Sequence, residues 1–143
     1  MPNLYALLTY LGVLPFVAIS IGLLFGGHEL GYFGSLVKII ESYGLIIVSF
    51  MAGTHWGIYI SQAIKPKTNL LLTSNIIALS AWLCFLFAPT KVTLWAYGLS
   101  FALLLYIDAE LVREKAIMKD YFRTRAIVSL LVISSLVLIL IVI

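Results

Sequence analysis

The chain has 143 residues, 63% of them hydrophobic and 10% charged, with a mean hydropathy of +1.13. That leaves too little polar surface to cover a water-soluble fold, and the apolar residues run in long uncharged blocks, so lipid is the expected solvent. A net charge of +3 then reports topology and anionic lipid headgroups and implies no nucleic acid, while a single cysteine, Cys84, excludes a disulfide framework and a thiolate metal cluster.

The expected fold is all-α: one polytopic membrane domain over residues 1–143, a bundle of five transmembrane helices. Leu4 to Phe25 carries no charge and is the first span, kinked at Pro15, which lacks an amide proton. It has no basic segment before it and outlasts the apolar region of a signal peptide, so it reads as an uncleaved signal anchor. Gly26 to Glu41 places Phe33, Leu36, Val37 and Ile40 opposite Ser35, Lys38 and Glu41, the pattern of a short interfacial helix. The alternative is that this stretch lengthens and tilts the next span.

Ser42 to Ile64 is the second span, ended by Lys65-Pro66-Lys67. Asn69 to Ala88 is the third, capped at Thr68-Asn69 and stopped by Pro89. The fourth, 92–108, runs on into a charged extension through Lys115, and Ala126 to Ile143 is the fifth. Five spans put Lys65, Lys67, Arg113, Lys115, Lys119, Arg123 and Arg125 on the side of the N-terminus, against Lys38 and Lys91 on the other. Basic residues gather in the cytoplasm, so the N-terminus is expected there and the C-terminus on the opposite side.

Three features carry the functional expectations. Ser49, Gly53, Gly57 and Ser61 recur every four residues, a small-residue ridge that seats another helix, either within the bundle or in a homodimer. His55 lies about nine residues, or ~14 Å, inside its span, where an ionisable group is a functional candidate, as proton relay, ligand anchor or hydrogen-bonded packing residue. Gln62 shares its face, Asn75 enters the third span, and Asp108 closes the fourth. With Arg123 and Arg125 at the start of the fifth, these groups outline a polar pocket open to the cytoplasm, or else staple helices and pair at the interface. Trp56 would wall that pocket and Arg123 would supply the counter-charge. No phosphate loop, serine nucleophile pattern, paired catalytic carboxylates or metal motif appears.

Leu11-Gly12-Val13-Leu14-Pro15-Phe16, Ser49 through Gly57, Ala81-Trp82 and Asp108 resemble the transmembrane protein 69 family over most of the chain. Phe-x-x-Gly-x-His-Trp-Gly is the most specific part of the resemblance, and Asn75, in the third span, departs from the family's pattern, which implies a proline there. The resemblance implies a small protein of the bacterial inner (cytoplasmic) membrane or of mitochondria; it implies no reaction and no cofactor. The expected function is binding of a small hydrophobic or amphipathic ligand, such as a quinone or porphyrin, or of a membrane partner, around His55. The alternatives are a proton-linked transporter or channel subunit and an accessory subunit of a larger membrane complex.

Overall fold

A computed structural model describes residues 4–29, 31–61 and 65–143. The protein is all-α, and five of its helical segments are long and apolar enough to cross a membrane. The first is broken, as Pro15 requires. Helix α1 (Leu4–Leu11) ends in a tightened turn in which Val13 N–H donates to Tyr10 O at 3.0 Å, and α2 (Leu14–Leu24) restarts with the proline in its first turn. The Tyr43 hydroxyl donates to Gly12 O at 2.9 Å across the break, replacing a bond the helix no longer makes.

The segment after α2 corrects one expectation. No interfacial α-helix forms there: Gly31 and Gly34 take positive φ (46° and 78°), so the chain makes only a single 3-10 turn, Gly31–Phe33, closed by a bridge between Glu29 and Ser35. Leu36, Val37, Ile40 and Glu41 instead begin α3 (Leu36–Ser61), whose 26 residues extend ~39 Å, more than the ~30 Å hydrocarbon core. No glycine pair or proline interrupts the run, so the helix continues into the next span, the alternative that the amphipathic pattern also allowed. Gln62, the last residues of the expected second span and the Phe33 side chain lie outside the described residues.

The remaining helices follow the sequence closely. α4 (Leu70–Phe87) is capped by the Asn69 side chain, which accepts from Leu72 N–H at 3.1 Å. α5 (Thr90–Arg113) carries the charged extension beyond the apolar run, and α6 (Lys119–Val142) begins before the expected apolar stretch. Between them the chain reverses through Lys115 at φ 58°, with Ala116 N–H on Leu111 O and Lys115 N–H on Val112 O, a Schellman ending built on a non-glycine residue.

α3 packs on α4 and α5, α6 packs on α5 and α2, and α1 leans on α6 alone among the closer pairings. The core is apolar and centred on Phe16, Val48, Leu94, Tyr97, Phe101 and Leu104. Tyr97 packs against Gly44, where an added Cβ would meet its ring at 2.7 Å, and its hydroxyl donates to Glu41 O. Outward faces are equally apolar, with Leu7, Ile46, Ile60, Phe87, Leu99 and Ile141 exposed, as lipid requires and water would not tolerate. Lys67 N–H donates to Glu114 Oε2 and the rings of Tyr5 and Tyr121 stand 6.3 Å apart, so the start of α1, Lys67 of the α3–α4 loop and the α5–α6 turn gather at one end.

Candidate functional site

Three helices each bring one polar residue to the same interior point. On α3 the buried positions step through Gly44, Val48, Met51, Ala52 and His55, and on α5 through Leu104, Ile107, Asp108 and Leu111. On α6 they step through Arg125, Val128, Ser129 and Val132. Each row has the three-and-four spacing of a helix face, and the ionisable members of the three rows meet at one point.

Asp108 is the hub. Its Oδ2 accepts from Arg125 Nε at 2.8 Å and its Oδ1 lies 2.9 Å from His55 Nε2. The three residues are 1%, 3% and 0% exposed. A guanidinium keeps its charge in proteins, and its burial requires an anion in contact, which fixes Asp108 as a carboxylate. A carboxylate only accepts, so the facing imidazole nitrogen is its N–H donor; this tautomer follows from the network. Guanidinium and carboxylate balance one another. His55 Nδ1 is the buried side-chain polar atom that finds no partner among the described residues.

Arg125 also reaches outward. Its Nη1 donates to Met51 Sδ at 2.6 Å, and its guanidinium stands 5.8 Å from the ring of Tyr121. Both Arg125 and Met51 line a cleft of about 350 Å³ between α1, α3 and α6, at the lower end of the ~300–1,000 Å³ usual for small-molecule sites. The break at Gly12 and Val13 gives α1 a separate axis, and Tyr5, Leu8, Thr9 and Gly12 form one wall of the cleft. Phe50, Val128 and Val132 make the rest largely apolar. A second groove, about 550 Å³ between α5 and α6, carries no charged or hydroxyl side chain and suits an acyl chain.

The structure unites His55 and Asp108 and sets Arg123, Trp56 and Asn75 apart from them. Arg123 is exposed; two residues from Arg125, it sits on the opposite side of α6, so Arg125 and not Arg123 is the counter-charge. Trp56 is 42% exposed and Asn75 is exposed, both turned away from the interior. Trp82 and Trp95 also face outward. Gln62 lies outside the described residues. Ser49, Gly53, Gly57 and Ser61 form an exposed stripe, and a Cβ added at either glycine would meet nothing within 4 Å among the described residues, so none of the described helices seats in this ridge. The sequence does not mark Met51, Tyr5 or Tyr121 as site residues, because nothing in an apolar helix tells which methionine or tyrosine borders a cavity. Among the described residues no three His, Cys, Asp or Glu side chains converge to hold a metal ion.

Compared with known proteins, residues 1–141 match the family described as protein of unknown function DUF3429. No curated protein and no solved structure matches the chain.

Proposed function

The chain belongs to the DUF3429 family of proteins of unknown function, and we propose that this member is a non-enzymatic membrane protein that binds a small hydrophobic or amphipathic ligand between α1, α3 and α6. One observation carries the reading: Arg125 is at once the cation of a buried ionic cluster and a wall of a largely apolar cleft. A charged group inside a membrane is costly to maintain and is retained where it serves a pathway or a ligand. Apolar walls with a few convergent polar groups are the ordinary build of a small-molecule site.

In this reading Arg125 meets the ligand, Asp108 and His55 hold Arg125 in place, and Tyr5 and Tyr121 flank the opening. The finer expectations accompany it as proposals. Residues 1–143 form a single membrane domain in the bacterial inner membrane with a cytoplasmic N-terminus, supported by the seven basic residues on that side against two on the other. Kinship with the transmembrane protein 69 family is supported by motif residues Gly12, Pro15, His55 and Asp108, which are also those of the helix break and the cluster. A second reading, a subunit whose outer face docks a membrane partner or a second copy, is favoured by the exposed ridge at Gly53 and Gly57.

Native mass spectrometry of protein extracted in mild detergent tests the main reading, with wild type beside Leu8→Trp, which fills the cleft from an exposed wall position. A small molecule retained by wild type and lost from the variant is expected. An empty wild type, or equal retention by both, would overturn it.

A further inference from the structure

Resting on that reading of the cleft, we propose that its ligand presents an uncharged oxygen acceptor, a carbonyl on an apolar scaffold, which Arg125 Nη1 takes in place of Met51 Sδ. The first argument is the quality of the present partner. A thioether sulfur is a weak acceptor, whereas a guanidinium N–H bonds oxygen acceptors more strongly than neutral donors do. Nη1 is turned onto such a sulfur although both residues line the cleft. The donor on the cleft wall is thus held by a partner that a carbonyl oxygen displaces with gain.

The second argument is charge. Asp108 already balances Arg125, and His55 occupies the second carboxylate oxygen. An anionic headgroup on the same guanidinium would add a negative charge without a counter-ion in a water-poor interior, and a cationic one would face the guanidinium directly. A neutral acceptor leaves the balance unchanged.

The third is the direction of the other polar groups. Thr9, Thr54 and Thr124 line the cleft, yet each spends its hydroxyl proton on its own helix, at Tyr5 O, Met51 O and Asp120 O respectively. They keep lone pairs and have donated their protons, which leaves donation to an incoming oxygen to Arg125 and to the phenols of Tyr5 and Tyr121 that also line the cleft. Ile47, Phe50, Val128 and Val132 then accommodate an apolar body.

Equilibrium binding to the purified full chain in detergent decides the matter with five probes of comparable chain length. These are 2-decyl-1,4-benzoquinone, methyl dodecanoate, dodecylphosphonate, dodecylammonium and dodecane, each measured on wild type, Met51→Leu and Leu8→Trp. The carbonyl probes are expected to bind wild type about tenfold or more tighter than dodecane, as a hydrogen bond from a charged donor implies. Met51→Leu, close in volume, removes the competing sulfur and should strengthen the carbonyl probes severalfold while leaving dodecane unchanged. Whichever carbonyl probe binds tighter separates a quinone-like ligand from a glycerolipid ester, and either supports the inference. Equal binding of dodecane, or tighter binding of the phosphonate or the ammonium, overturns it and leaves the cleft reading standing. No difference between wild type and Leu8→Trp for any probe overturns the cleft reading itself.

Discussion

Arg125 and Asp108, seventeen residues apart in sequence, meet across the α5–α6 hairpin with Nε 2.8 Å from Oδ2, and His55 of α3 closes on the other carboxylate oxygen. A single carboxylate thus joins three helices.

Removing one partner of a buried pair strands the other, at a cost of about 3–5 kcal/mol, whereas replacing both by apolar side chains is often neutral. Arg125→Met and Asp108→Leu should each lower stability by that order in detergent unfolding, and the double variant should recover at least half of the loss. A double variant as unstable as the singles would show that the pair is not what holds these helices together.

Gly44 and Gly53 lie on the same helix and should respond oppositely. At Gly44 a methyl group meets the buried Tyr97 ring, so Gly44→Ala forces repacking that costs about 1–3 kcal/mol, only partly offset by the helical gain of alanine. At Gly53 the space is open, and alanine should be neutral or stabilising by about 0.5–1 kcal/mol. Thermal melting of the two variants checks the contrast. If Gly53→Ala instead changes the oligomeric state by size-exclusion light scattering, the exposed ridge is an interface between chains.

Much of this fold was legible because lipid simplifies the code. Long uncharged runs marked the five apolar helices, Pro15 the break within the first, and Asn69 the cap of α4. The stretch before α3 misled because an amphipathic row reads alike on a helix lying in the interface and on the first turns of one that crosses. The site was half legible. Counting residues gives depth, which brought His55 and Asp108 together, but hydropathy does not tell inside from outside when both faces are apolar. Trp56 and Asn75 were therefore assigned to a pocket they turn away from. For Arg125 a signal did exist: it continues the buried row through Val128, Val132 and Leu136, and Arg123 does not.

The stitch across the first span makes a third prediction. Tyr43→Phe leaves Gly12 O without its donor in an apolar setting, which should cost about 1–3 kcal/mol, and because Gly12 lines the cleft it should also change ligand retention. Unfolding and native mass spectra of the same preparation read both effects.

The turn between α5 and α6 makes a fourth. Lys115 holds a left-handed conformation that disfavours any side chain, so Lys115→Gly should stabilise the protein by about 1 kcal/mol, seen as a raised Tm.

The central claim is that the cleft beside the Asp108–Arg125 pair is where a ligand sits, and photocrosslinking tests it most directly. An alkyl ketone carrying a diazirine would be irradiated with the full chain in lipid nanodiscs and the adducts mapped by peptide mass spectrometry. The account predicts adducts on Tyr5, Leu8, Phe50 and Tyr121, from three helices, suppressed in Leu8→Trp and competed by the unlabelled ketone. Adducts spread over the outer faces, at Trp56, Leu79 and Trp95, with no competition, would contradict it.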